Sequence, residues 1–224
     1  MFSKNNLKYI FVLAIGFFLC GSVYLTQEQY LANYASVEFV NIVELLFGSI
    51  SMALGILIFG LLYHKNKNVR NTYIVFMALA LVSIISFFAT KNIYFMSVCL
   101  CLTCLFGTAG FGAGYHFSLL GSNVEKEYRG RVFAIGYGLG SIGTYLMILF
   151  PESFYSSIKT LIIYVPMLLL NLYLIIKKTN MMQIKDEKST TSFKNYFIRI
   201  SIIVLAMSLL SALSTDVIAI NTID

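Results

Sequence analysis

Three sets of residues in this sequence have the types and spacing that chemistry requires. Gly138, Gly140 and Gly143 form a Gly-x-Gly-x-x-Gly, the spacing with which a strand-turn-helix unit cradles a dinucleotide pyrophosphate. The preceding GSNVEKEYRGR is polar and charged rather than a buried strand, and no Asp or Glu lies about twenty residues beyond Gly143 to hold a ribose. These glycines therefore need another explanation. Cys99, Cys101 and Cys104 lie in CLCLTC, where Cys101 and Cys104 would share a helix face. No His or carboxylate stands within a turn to complete a metal shell, so they read as small buried apolar groups and no metal site is assigned.

The third set is ionisable. Glu44 and Asp216 fall inside apolar runs, where a carboxylate at midplane costs about 2.5–3.5 kcal/mol, so each is a candidate for a solute or ion pathway. The plainer alternatives are that Glu44, about five residues into its segment, reaches the headgroups, and that Asp216 lies beyond the end of its helix. His116, near the inner end of a long apolar segment, titrates in the neutral range when unperturbed and is a candidate proton carrier; an interfacial position is its plainer reading. No Ser-His-Asp, His-Glu-x-x-His or Walker arrangement is present. The chain is not read as an enzyme, and no cofactor is assigned.

These residues are carried by an unusually apolar chain. With 58% hydrophobic and 12% charged residues and a mean hydropathy of +0.81, it departs from the roughly 45–50% apolar and about 25% charged residues of soluble domains. Apolar windows of the ~20 residues that cross a bilayer occur near 7–25, 39–63, 72–90, 93–120, 132–150, 158–176 and 197–220. The fold class is all-α, a polytopic membrane protein of about seven transmembrane helices. Helices are preferred to a barrel because the runs are continuous rather than alternating. The domain reading is a six-helix bundle over 1–176, a polar loop over 177–196, and a seventh helix with a short tail over 197–224. The basic N-terminal flank resembles a secretory signal, but no A-x-A-like cleavage site follows it, so the first segment is read as a permanent helix.

Basic residues set the orientation. Of sixteen Lys and Arg, fourteen fall on the side of the N-terminus and only Lys91 and Lys159 on the other, which makes the N-terminal side cytoplasmic. The +6 formal charge then belongs to an inner face attracted to anionic lipid, and nucleic acid is not an implied partner. The expected location is the plasma (inner) membrane.

Glycine also has a role in lipid, where helices associate through close backbone approach rather than a hydrophobic drive. Gly136 and Gly140 form a small-x-x-x-small pair that Thr144 continues, broadened by Gly138 and Gly143; Gly110 with Gly114, and Ser51 with Gly55, repeat the pattern. The opening motif thus reads as a packing face.

The stretch from Gly107 to Gly143, GTAGFGAGYHFSLLGSNVEKEYRGRVFAIGYGLGSIG, resembles the fourth span, cytoplasmic turn and glycine-rich fifth span of major facilitator superfamily transporters, with Arg129 and Arg131 in the turn. In GLLYHKNKNVR, Gly60, Leu62 and Lys65 match parts of that family's loop between spans two and three, while His64 and Lys67 stand where it has Asp and Gly. The resemblance implies the first bundle, and the start of the second, of a secondary active transporter that moves a small solute by alternating access, with a proton or other ion as candidate coupling partner. A missing second half, or a second copy, would have to complete it, and the thin face of the fifth span is left without a designated partner. The alternative is a non-transporting sensor or interaction module built on the same bundle.

The orientation is tested by single cysteines in a cysteine-free background. Labelling by an impermeant reagent is expected from outside at Ser36 and Glu152 and only from inside at Asn68, Asn123 and Ser189; outside labelling at Ser189 would overturn it.

Overall fold

A computed structural model describes residues 4–65, 69–151, 154 and 157–178. The described residues fold as α1 (Lys4–Ala32), α2 (Val37–Ile42), a π-helical segment (Val43–Ser49), α3 (Ile50–Lys65), α4 (Arg70–Ala89), α5 (Ile93–Phe106), α6 (Phe111–Asn123), α7 (Lys126–Ile148), a 3₁₀ turn (Ile158–Thr160) and α8 (Leu161–Lys178). Among the described residues four helical stretches are long and apolar enough to cross a membrane: Asn6–Ala32, Arg70–Ala89, Ile93–Asn123 taken through its interruption, and Ile158–Lys177. The chain is an all-α, polytopic bundle of membrane-spanning character. The window near 39–63 is helical but divided by the π segment, and that near 132–150 lies within α7; the window near 197–220 and the loop before it, past Lys178, lie outside the described residues.

Helix α1 is the post on which the others lean. It packs against α2, α4, α5, α6, α7 and α8, and buries Val12, Leu13, Gly16, Leu19, Val23 and Leu31. Its closest partner is α7, which supplies the thin face. A Cβ on Gly136 would stand 2.7 Å from Leu13 Cβ, and one on Gly140 would stand 2.6 Å from Phe17 Cβ and 2.7 Å from the Ala14 carbonyl oxygen. From the other side, a Cβ on Gly21 would lie 2.8 Å from Thr144 Oγ1. The partner of the thin face is thus α1, within the same bundle. Gly138 does not share the contact: nothing lies within 4 Å of its Cβ position. The opposite side of α7 exposes Ile135, Leu139, Ile142 and Leu146, an apolar stripe at helical spacing that suits lipid.

The sequence window 93–120 reads as one continuous span, yet the chain leaves the helix between Phe106 and Phe111. Two halves of 14 and 13 residues result, with the break midway between them. Asn92 caps the first half, its Oδ1 accepting from the Tyr94 and Phe95 amides at 3.1 Å. At the break the Gly107 amide donates to the Thr103 carbonyl at 2.8 Å and the Gly112 amide to the Gly107 carbonyl at 2.9 Å. Helix α3 lies directly on this irregular backbone. A Cβ on Gly55 would be 2.3 Å from the Leu105 carbonyl oxygen and 2.7 Å from the Phe111 nitrogen, so only glycine permits that approach.

The packing separates glycines by role. Gly140→Ala should lower stability by about 2 kcal/mol or more, because its methyl meets α1 backbone that cannot yield. Gly138→Ala should raise it by up to about 1 kcal/mol through helix propensity. Thermal unfolding in detergent checks both, and equal effects at the two positions would contradict this packing.

Candidate functional site: a cavity at the break between α5 and α6

The break opens onto a cavity of about 30 Å³, room for two or three waters at the ~10–15 Å³ that a water centre needs. Apolar groups from α1, α4 and α8, among them Leu19, Val23, Met77, Ile84 and Leu168, form most of its wall. The polar part comes from Tyr24 and Gln27 on α1, Thr103 at the end of α5, and Thr108 in the break. Cys20 and Cys104 also line it and are free thiols.

Local chemistry fixes how Gln27 sits. Thr103 Oγ1 donates its one hydrogen to the Cys99 carbonyl at 2.8 Å. The group facing that oxygen must therefore be a donor, and Gln27 presents Nε2 to it at 3.3 Å. Its Oε1 is turned elsewhere and, although the side chain is fully buried, has no hydrogen-bond partner. A buried carbonyl of this kind forfeits about 1–3 kcal/mol until a donor or cation reaches it.

Tyr24 links the cavity to the carboxylate singled out in the sequence. Its hydroxyl lies within electrostatic reach of Glu44, which is half-buried in the first turn of the π segment. π-Bulges inside helices recur at functional sites. Gly48 of the same segment makes room for the ring, a Cβ there standing 3.0 Å from the Tyr24 hydroxyl oxygen. Glu28, one helical turn from Tyr24, is half-buried and lies within electrostatic reach of Glu44. Glu28 and Gln27 escape a hydropathy reading because the apolar window closes near residue 25, whereas α1 continues to Ala32. The available signal was the run of side-chain hydrogen-bonding groups Ser22, Tyr24, Thr26, Gln27 and Glu28, too polar for lipid and too periodic for a loop.

His116 is buried in the bundle. Tyr73 on α4 donates to Asn171 Oδ1 on α8 at 2.6 Å, and its oxygen lies 3.2 Å from His116 Nε2. With the phenol hydrogen committed to Asn171, His116 Nε2 is the donor to the Tyr73 oxygen. Asn171 Nδ2 in turn donates to the Val12 carbonyl on α1 at 3.3 Å. Gly16 gives the ring its space, since a Cβ there would lie 2.4 Å from Cε1. The network ties α1, α4, α6 and α8 together about one turn along α4 and α8 from Met77 and Leu168 of the cavity. A second tie joins α1 to α8, with the Tyr164 hydroxyl donating to the Ser22 carbonyl at 2.9 Å.

The remaining sequence candidates distribute as follows. Gly110 stands at the break, and Gly114 admits the Phe59 ring, 2.5 Å from its Cβ position. Gly60 is exposed with nothing near it, and Lys65 closes α3. Arg129 and Arg131 belong to the first turns of α7 rather than to a loop, and Arg129 Nε donates to the Val124 carbonyl at 2.8 Å. Asp216 lies outside the described residues. Among the described residues no group of three or more His, Cys, Asp or Glu could hold a metal ion.

Fold and site together define an integral-membrane helical bundle with a small polar-edged cavity at a helix interruption. No protein-family model, curated protein or solved structure matches the chain.

Proposed function

We propose that the chain is a bundle of a secondary active transporter of major facilitator type, moving a small solute by alternating access. The observation that carries the reading is the interrupted helix: unwound backbone midway along a membrane helix is tolerated where it is enclosed by protein or lines a cavity, and transporters use such breaks to hold solutes and ions near the midplane. The resemblance of Gly107–Gly143 to the family's fourth and fifth spans supports it. In this reading the N-terminus is cytoplasmic in a plasma (inner) membrane, Glu44 belongs to the ion pathway, and His116 holds helices together rather than carrying protons. A partner bundle, from further sequence or from a second copy, faces the site, because such sites form between repeats. The chain itself performs no covalent chemistry.

Alternating access makes a prediction that needs no knowledge of the solute. In a cysteine-free background, Thr108→Cys should react with an impermeant thiol reagent both in right-side-out and in inside-out vesicles. Reaction from neither side, or from one side alone, would overturn the transport reading in favour of a static module.

A further inference from the structure

The lining of the cavity at the break is mostly apolar, and the described residues that form it include no Asp, Glu, Lys, Arg or His. A charged guest would lose its hydration there with nothing to compensate it, so the wall selects a neutral one. Leu19, Met77, Ile84 and Leu168 are each no more than 3% exposed and offer an alkyl group close contact from three helices.

Two polar groups interrupt this wall. Gln27 is fully buried, and its Oε1 has no hydrogen-bond partner while its Nε2 donates to Thr103 Oγ1 at 3.3 Å. Thr103 cannot serve Oε1, because its hydrogen goes to the Cys99 carbonyl. Thr108, in the break itself, carries a hydroxyl with no partner among the described residues, free to donate. An acceptor and a donor are thus set in one otherwise apolar cavity. Its volume of about 30 Å³, enough for two or three waters, is the room of a molecule of about three or four heavy atoms. Water would meet the polar groups and leave the apolar wall wet, whereas a molecule with one amide and one short alkyl group suits both.

We propose that the cavity between α1, α4 and the α5–α6 break binds a small neutral solute of the short-chain amide class, its N–H donated to Gln27 Oε1, its carbonyl accepting from Thr108 and its alkyl group against the apolar wall. This deepens the transport reading by naming a class of solute, and rests on it only in taking the bound molecule for cargo. Binding can fail while Thr108→Cys is still reached from both sides, and two-sided access can fail while binding persists.

The test uses the purified full chain in detergent and three probes of nearly one shape: acetamide, acetone, which lacks the donor, and acetate, which is charged. Modification of Cys104, a buried thiol of the cavity wall, by methyl methanethiosulfonate is followed by mass spectrometry, with Cys101, which is not part of that wall, as the internal reference. Acetamide should slow modification of Cys104 saturably, about tenfold at about ten times its Kd, and leave Cys101 unchanged. Acetone should need about tenfold more for the same effect, for want of one hydrogen bond, and acetate should have none. In Gln27→Met the advantage of acetamide over acetone should vanish. No protection by acetamide, protection by acetate at the same concentration, equal slowing at Cys101, or an undiminished acetamide preference in a folded Gln27→Met each overturns the proposal. Where Gln27→Met does not fold, the parent decides alone: acetone as effective as acetamide means that only the apolar wall acts, and the site fails.

Discussion

In a bilayer every backbone amide and carbonyl must find its partner inside the protein, and the described residues are arranged around a place where a membrane helix stops providing them. Between Phe106 and Phe111 the ladder of α5 ends and that of α6 has yet to begin. Amide bonds from Gly107 and Gly112 recover part of the loss, and α3 covers one side so closely that residue 55 has no room for a side chain. On the other side lies the cavity, edged by Gln27, Thr103 and Thr108. The irregular backbone is enclosed by protein there and is not left to lipid.

Enclosure requires a rigid frame, and α1 supplies it through two kinds of contact. Against α7 the contact is steric, with the Gly136 and Gly140 backbone laid on Leu13, Ala14 and Phe17. Against α4, α6 and α8 it is polar, through Tyr73, His116 and Asn171 to the Val12 carbonyl, and through Tyr164 to the Ser22 carbonyl. Each buried polar atom left without a partner costs about 1–3 kcal/mol, so the network discriminates among helix registers more sharply than apolar contact does. It also explains why His116 sits inside the bundle: it holds a hydrogen bond there.

The membrane class was legible because composition and continuous apolar runs report burial in lipid directly. The packing role of the Gly136–Gly140 face could be read from spacing, but its partner could not, since spacing on α7 carries no information about α1. The break was hidden for a similar reason: Gly107, Thr108, Ala109 and Gly110 are apolar or small enough to pass as helix, and what stops them is tertiary, the approach of Gly55. Glu44 stood out as a charge in an apolar run, whereas Gln27 is uncharged and sits just past the window edge. Its importance arises only because Thr103 spends its hydrogen on Cys99, a fact of side-chain geometry.

The most direct measurement of this account is amide hydrogen exchange of the chain in lipid nanodiscs, resolved across 96–120. Helical amides in a membrane exchange very slowly, whereas a break that opens on a cavity admits water to its amides. The account predicts fast exchange confined to Thr108, Ala109 and Gly110, with strong protection through α5 and from Gly112 onward in α6. Uniform protection across all of these residues would mean a continuous helix, and would contradict both the break and the site built upon it.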